Sequence, residues 1–150
     1  SDKITDASFK YVQQLPELQV LIIKDLVQVT DKYFAYMPSV KCVNANGCTM
    51  ITDEGVERFL ETACNIQWLE VPDTQVTIQC IMTALAWTKC TGKALILIVS
   101  EELSDQYKKL EIEKNEKLSV YSLEDEENIY NDDVYESFCE ETSMMLEEDD

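Results

Sequence analysis

Six cysteines, two tryptophans, scattered carboxylate pairs and no histidine are what this chain brings to chemistry. Without histidine there is no Ser-His-Asp or Cys-His relay. Glycine occurs only at Gly47, Gly55 and Gly92, too few and too dispersed for a phosphate loop or a dinucleotide fingerprint. The pairs Glu101-Glu102 and Glu140-Glu141 read as solvated charge. The cysteines, Cys42, Cys48, Cys64, Cys80, Cys90 and Cys139, contain no CxxC pair, so a zinc site would need thiolates or carboxylates gathered by the fold. Buried free thiols in a reducing compartment are the better reading, because Cys packs as a small apolar group. The chain therefore reads as non-catalytic, with no cofactor and no metal. Recognition is the remaining chemistry. The residues expected to carry it are Val20, Ile22, Cys42, Asn44, Trp68, Glu70, Ile96 and Ile98, a mostly apolar set crossed by a polar band of Asn44 and Glu70. Trp68 is its natural anchor, since indole offers large rigid contact area. Cys42 reads as an inert thiol, having no basic neighbour except Lys41, which alternation turns the other way.

Charge narrows the partners. The chain carries 30 acidic and 12 basic residues, and 13 of the acidic ones lie after residue 123, where there is no Lys or Arg. The first 123 residues then hold 17 acidic and 12 basic, a net of −5. Both parts argue against contact with nucleic-acid phosphates or an anionic membrane surface. No run is long and apolar enough to span a bilayer, and the N-terminus is not signal-like. The expected setting is cytoplasmic, nuclear or both, with a protein as partner.

The elements that must position those eight residues come from an internal repeat. A Thr-Asp signal recurs at Ile4-Thr5-Asp6, Val29-Thr30-Asp31 and Ile51-Thr52-Asp53, then as Val76-Thr77 without the Asp, then as Leu103-Ser104-Asp105. The spacings are 25, 22, 25 and 27 residues. Ahead of each from the second onward runs an LxxLxL spacing: Leu18, Leu21, Ile23; Val40, Val43, Ala45; Ile66, Leu69, Val71; Ala94, Leu97, Val99. A weaker fifth is Leu118, Tyr121, Leu123. Each LxxLxL predicts a short strand whose last two anchors face the core, with alternate residues pointing out. Those outward residues are the eight named above, continued by Val120 and Ser122. Each Thr or Ser predicts a helix N-cap, with the following Asp favoured by the positive helix end. Helical apolar spacing follows at Phe9 and Val12, at Val56, Phe59 and Leu60, and at Ile78, Ile81, Met82 and Leu85. Pro16 and Pro38 stop the first two helices. Such units bury their apolar faces only by stacking.

The best-preserved unit is Val40-x-x-Val43-x-Ala45-x-x-Cys48-x-x-Ile51-Thr52-Asp53-x-Gly55. It resembles the cysteine-containing leucine-rich repeat, best known from the substrate-binding half of F-box proteins. The resemblance covers roughly residues 1–123. The positions matching Cys48 elsewhere are Leu26, Thr74 and Glu102, so the cysteine itself is not repeated. The resemblance implies an α/β leucine-rich repeat solenoid of four to five repeats, with short parallel strands on the concave face and helices on the convex face. It further implies protein recognition on the concave face, as a substrate-receptor component of a cullin-RING ubiquitin ligase of the SCF type, working in a heteromeric complex with a ligase adaptor and a substrate.

Two other functions fit the composition. One is an acidic repeat protein that binds histones or other basic proteins through its tail. The other is a structural scaffold subunit whose apolar strand face is a permanent interface. The first repeat lacks its strand, so further repeats are expected upstream. Residues 124–150 read as an acidic tail, capping the last repeat near residues 129–139 and disordered beyond. A one-residue slip of register would bury Trp68 and turn Leu69 out.

Overall fold

A computed structural model describes residues 6–34, 36–125 and 143–145. Helix and strand alternate: α1 (Asp6–Val12), β1 (Val20–Ile22), α2 (Asp31–Phe34), β2 (Cys42–Asn44), α3 (Asp53–Thr62), β3 (Trp68–Glu70), α4 (Ile78–Thr91), β4 (Leu95–Val99), α5 (Glu101–Lys109) and β5 (Leu118–Ser122). A single 3-10 turn, Leu123–Asp125, closes this series, and a short strand, β6, spans Ser143–Met145. The chain is thus α/β. The strands form one sheet in the order β5-β4-β3-β2-β1-β6, and every pairing is parallel. Parallel neighbours need a crossover, and a helix supplies it at each step from β1 to β5. β6 is the exception, since it lies beside β1 at the edge opposite β5.

The helices share one face of the sheet. Val12 of α1, Phe34 of α2, Phe59 of α3, Ile81 of α4 and Tyr107 of α5 belong to a single core with the strand residues Leu21, Val43, Leu69 and Leu97. Phe34 and Phe59 stack at 5.2 Å between ring centroids. The expected anchors of the first three sets are all buried, from Leu18, Leu21 and Ile23 through to Ile66, Leu69 and Val71. Each Val, Leu or Ile among them contributes about 1.5–3 kcal/mol by leaving water.

The last two units depart from the expected pattern. In β4, Leu97 and Val99 are buried, but Ala94 is exposed and Leu95 takes the inner place. In β5 the register is shifted by one. Leu97 pairs with Val120 and Ile98 with Tyr121, so Leu118 and Val120 pack under the helices. Val120 and Ser122 were expected to face outward, and the correction follows from the strand period of two. Tyr121 and Leu123 lie on the other face instead. The helix signal at Ser104 is likewise displaced. Ser100 is the N-cap of α5, its hydroxyl accepting from the Leu103 N–H at 3.3 Å. Ser104 is buried within that helix.

The Thr-Asp signal has a different job from simple capping. The Thr52 hydroxyl makes no cap bond to its own helix. It donates to Asp31 Oδ2, while the Thr52 N–H donates to Asp31 Oδ1 at 2.8 Å. Asp53 does the same one unit later, accepting from the Thr77 N–H at 2.9 Å and its hydroxyl at 2.5 Å. Thr77 also caps, its Oγ1 accepting from the Gln79 N–H at 3.2 Å. Each Asp therefore links its unit to the next by two charge-assisted bonds. Left-handed residues recur just beyond the strands, at Asp25 (φ 62°), Gly47 (φ 82°) and Asp73 (φ 55°).

Gly55 lies in the first turn of α3 against the first of these carboxylates. An added Cβ would stand 2.1 Å from Asp31 Oδ1. Alanine in place of glycine inside a helix normally gains about 1 kcal/mol. Here Gly55→Ala is expected to lose about 1–3 kcal/mol, as overpacking does. Thermal melts of G55A, alone and combined with Asp31→Ala, check this. The loss should vanish once the carboxylate is gone, and a raised Tm for the single variant would refute the crowding.

Candidate functional site

The helix-free face of the sheet carries all eight expected residues. Pairing arranges them in two rungs. One runs Val20, Cys42, Trp68, Ile96 and continues to Ser119, and the other runs Ile22, Asn44, Glu70, Ile98 and continues to Tyr121. The alternation that sends Leu21, Val43, Leu69 and Leu97 into the helix-side core leaves these residues on the opposite side.

This face is not open. Trp68 and Ile98 are 0 % exposed, Glu70 is 1 %, and Val20, Cys42 and Asn44 are buried too. Only Ile22 and Ile96 remain half-buried. Val20, Cys42, Trp68 and Ile98 make a second apolar cluster, against which Ile22, Ile96, Tyr121 and Leu123 pack. Among the described residues, none of α1–α5 belongs to it. Tyr121 and Leu123 are members that sequence reading missed. The pairing Ile98 to Tyr121 assigns them, whereas local spacing had put them in the other layer.

The polar band is held by local bonds. The Trp68 Nε1–H donates to Glu70 Oε1 at 2.8 Å, two residues along the same strand. A buried carboxylate needs such donors to offset lost hydration. Trp68, Glu70 and Cys42 each have a further interaction besides. Asn44 Oδ1 accepts from the Asn46 N–H at 3.1 Å. The indole and the carboxylate thus form one rigid amphipathic unit at the centre of the sheet.

A groove of about 520 Å³ opens where β3, β4 and β5 begin, and Ile96 and Ser119 form part of its wall. Lys93 and Lys117 line it, their ammonium groups donating to the carbonyls of Cys64 and Gly92. Through this groove the half-buried Ile96 is reachable from outside. Among the described residues no three potential metal ligands gather, and no helix is long and apolar enough to cross a membrane. The expectation for a capping, then disordered, acidic tail falls mostly outside the described residues, as does Cys139.

Comparison with known proteins found no family model and no curated protein that matches the chain. The functional reading therefore rests on residues and geometry.

The remaining described thiols divide by environment. Cys64 and Cys90 are exposed. Cys48 is buried and its thiol donates to the Ile23 carbonyl at 2.8 Å, one unit back. Burial pushes Cys48 up to about 11, Asp25 adding to the rise and a Leu26 backbone hydrogen bond opposing it. Burial, then Asp53, pushes Cys80 up to about 12. Raised values mean the folded chain holds these protons more tightly than the unfolded chain. Their stabilisation is complete below the ordinary value of 9.0 and is lost as pH rises through the folded values. Each should contribute a fall on the order of 1.4 kcal/mol per pH unit above that point. Burial raises Tyr107 as well, which steepens the fall above pH 10. Denaturant melts between about pH 8 and about pH 11, from below the ordinary thiol value into the raised range, should show the decline. A Cys48→Ala/Cys80→Ala variant should show a shallower one, and an identical slope would remove the thiols as its source.

Proposed function

We propose that this chain is a short leucine-rich repeat solenoid of the cysteine-containing type, and that it recognises another protein on the helix-free face of its sheet. The single observation that carries this is the pair of in-register rungs centred on Trp68 and Glu70, apolar on a face to which, among the described residues, none of α1–α5 contributes. Support for the repeat assignment comes from strands laid down in chain order and from two features that join successive units. These are the Asp31–Thr52 and Asp53–Thr77 bonds and the Cys48 thiol on Ile23. A repeat fold that presents a row of parallel strands reads its partner there. Within that class we place the protein as a substrate receptor of a cullin-RING ubiquitin ligase, on the resemblance carried by Val40 to Gly55. The partner would then be a protein destined for ubiquitination.

Trp68 is too deeply buried for a clean test, since removing a buried Trp costs about 3–5 kcal/mol of fold stability. Ile96 is half-buried and borders the groove, so a charge there reaches the face with less damage. Pull-downs with Ile96→Glu should recover at least about tenfold less of the partner captured by the unaltered chain, the loss of one central anchor. Circular dichroism should show the fold retained. Full recovery by a folded variant would take the face out of recognition. The ligase assignment adds that the captured protein carries ubiquitin in cells and persists longer when the receptor is depleted.

A further inference from the structure

We propose that the groove at the start of β3, β4 and β5 binds an extended acidic peptide, seating an apolar side chain by Ile96 and the flanking carboxylates on Lys93 and Lys117. This deepens the recognition reading above and rests on it in taking the peptide to be part of the recognised protein.

A step in the sheet makes the groove. β4 and β5 pair from Leu95 and Leu118, whereas β3 joins β4 only from Trp68 and Ile96. The groove, about 520 Å³, lies at that step. Its lining includes the buried Ile66 and the half-buried Ile96, with Lys93 and Lys117 exposed beside them. From β3 to β5 is two strand spacings, about 10 Å, which about three residues of extended chain cover. An apolar residue and its two neighbours therefore span it.

The two lysines are held in place by the fold. Each reaches one unit back to a carbonyl at the end of a helix. Lys117 Nζ donates to the carbonyl of Gly92, the C-cap of α4, at 2.8 Å. Lys93 Nζ donates to the carbonyl of Cys64, the residue after the C-cap of α3. Unpaired carbonyls and the negative helix end draw an ammonium there. An ammonium carries several N–H donors, so one such bond leaves others for a ligand. Among the described residues neither lysine forms an ion pair, although the chain holds 30 acidic residues against 12 basic.

Charge decides the class of peptide. Glu116 is the only carboxylate among the described lining residues, against the two ammonium groups. The chain as a whole, at −18, repels an acidic partner. At about 0.15 M salt that repulsion is screened beyond about 8 Å, so the nearest charges govern. A basic peptide is drawn to the chain at large and rejected at this groove. Ammonium groups fixed on an apolar wall are the complement of carboxylates flanking an apolar side chain.

Cys64 supplies the readout. It is exposed and lines the groove, whereas Cys90, also exposed, does not line it. The full 150-residue chain is treated with a maleimide, and each thiol is followed by peptide mass. The probes are hexapeptides with leucine or phenylalanine between glutamates, without lysine or arginine. With peptide at about ten times its Kd, about one chain in eleven stays free, so Cys64 should label about tenfold more slowly and Cys90 at its original rate. The same peptides with serine for glutamate should give no protection. The Kd from fluorescence anisotropy should rise by about fivefold or more in Lys93→Gln/Lys117→Gln, as loss of two exposed ion pairs does. Glutamine keeps a donor for each carbonyl. Lys108→Gln/Lys109→Gln removes the same charge from α5, outside the groove lining, and should bind like the unaltered chain. Equal binding by both variants, or protection by the serine peptides, would overturn the proposal. So would equal protection by octanoate, a small apolar acid, or none by the glutamate peptides at about 1 mM. The protection assay needs no variant, so it decides even if the lysine variant does not fold. Pull-downs separate the two readings. Partner lost with Ile96→Glu but kept with Lys93→Gln/Lys117→Gln would remove the acidic peptide and leave recognition by the face. Full recovery with Ile96→Glu would remove the face, and protection of Cys64 would decide the groove by itself.

Discussion

A carboxylate that reaches one unit forward sets the spacing of the stack. Asp31 takes both the N–H and the hydroxyl of Thr52, and Asp53 takes both from Thr77. Each acceptor is thereby held at the start of the next helix, where unpaired amides and the helix dipole favour negative charge. The arrangement fixes the offset between successive helices, and with it the side-by-side placement of the strands that precede them. Gly55 belongs to the same device, since only a residue without Cβ lets the first turn of α3 come this close to Asp31.

The ladder stops where its sequence stops. Ile78 follows Thr77, so no carboxylate reaches forward from α4. The junction to the last unit is made by other means. β4 and β5 pair over five residues instead of three. Asn115 donates to the Thr88 hydroxyl at 3.2 Å, and the Lys89 and Lys117 ammonium groups donate to the Glu113 and Gly92 carbonyls. Longer pairing and cross-loop bonds replace the charged clasp. This is also the part of the chain where the sequence pattern misleads. Leu103-Ser104-Asp105 mimics the Thr-Asp signal, yet Ser100 opens the helix, followed by the acidic first turn of Glu101 and Glu102.

What was legible follows from how many registers each stretch allows. Leu21, Val43 and Leu69 each sit in a strand where only one parity carries the core anchors, so alternation placed both faces from sequence alone. In β5 the run Leu118 to Leu123 is apolar on both parities, at 118 and 120 as well as at 121 and 123. Two registers fit locally, and pairing with β4 chooses between them. The eight face residues were identifiable for the same reason as the first three anchor sets. Their burial was not, because periodicity says which way a side chain points and nothing about what lies over it. Of the left-handed residues after the strands only Gly47 is a glycine, and Asp25 and Asp73 adopt that backbone without one to announce it.

β6 is a different kind of join from the rest. The pairings from β1 to β5 connect consecutive units, each closing a loop of roughly one repeat. The β1–β6 pairing brings Val20 to Ser143 through only three residue pairs. Loop-closure entropy grows with the logarithm of length, so this contact costs more to close than any repeat junction and has fewer ladder bonds to offset it. Its benefit is of another sort. Without β6, β1 would present an unpaired edge in register with Cys42-Val43-Asn44, a template for strand addition by any extended chain. The edge it protects adjoins the face built around Trp68 and Glu70, since Val20 and Ile22 of β1 pair with Cys42 and Asn44 of β2, the next strand toward that centre.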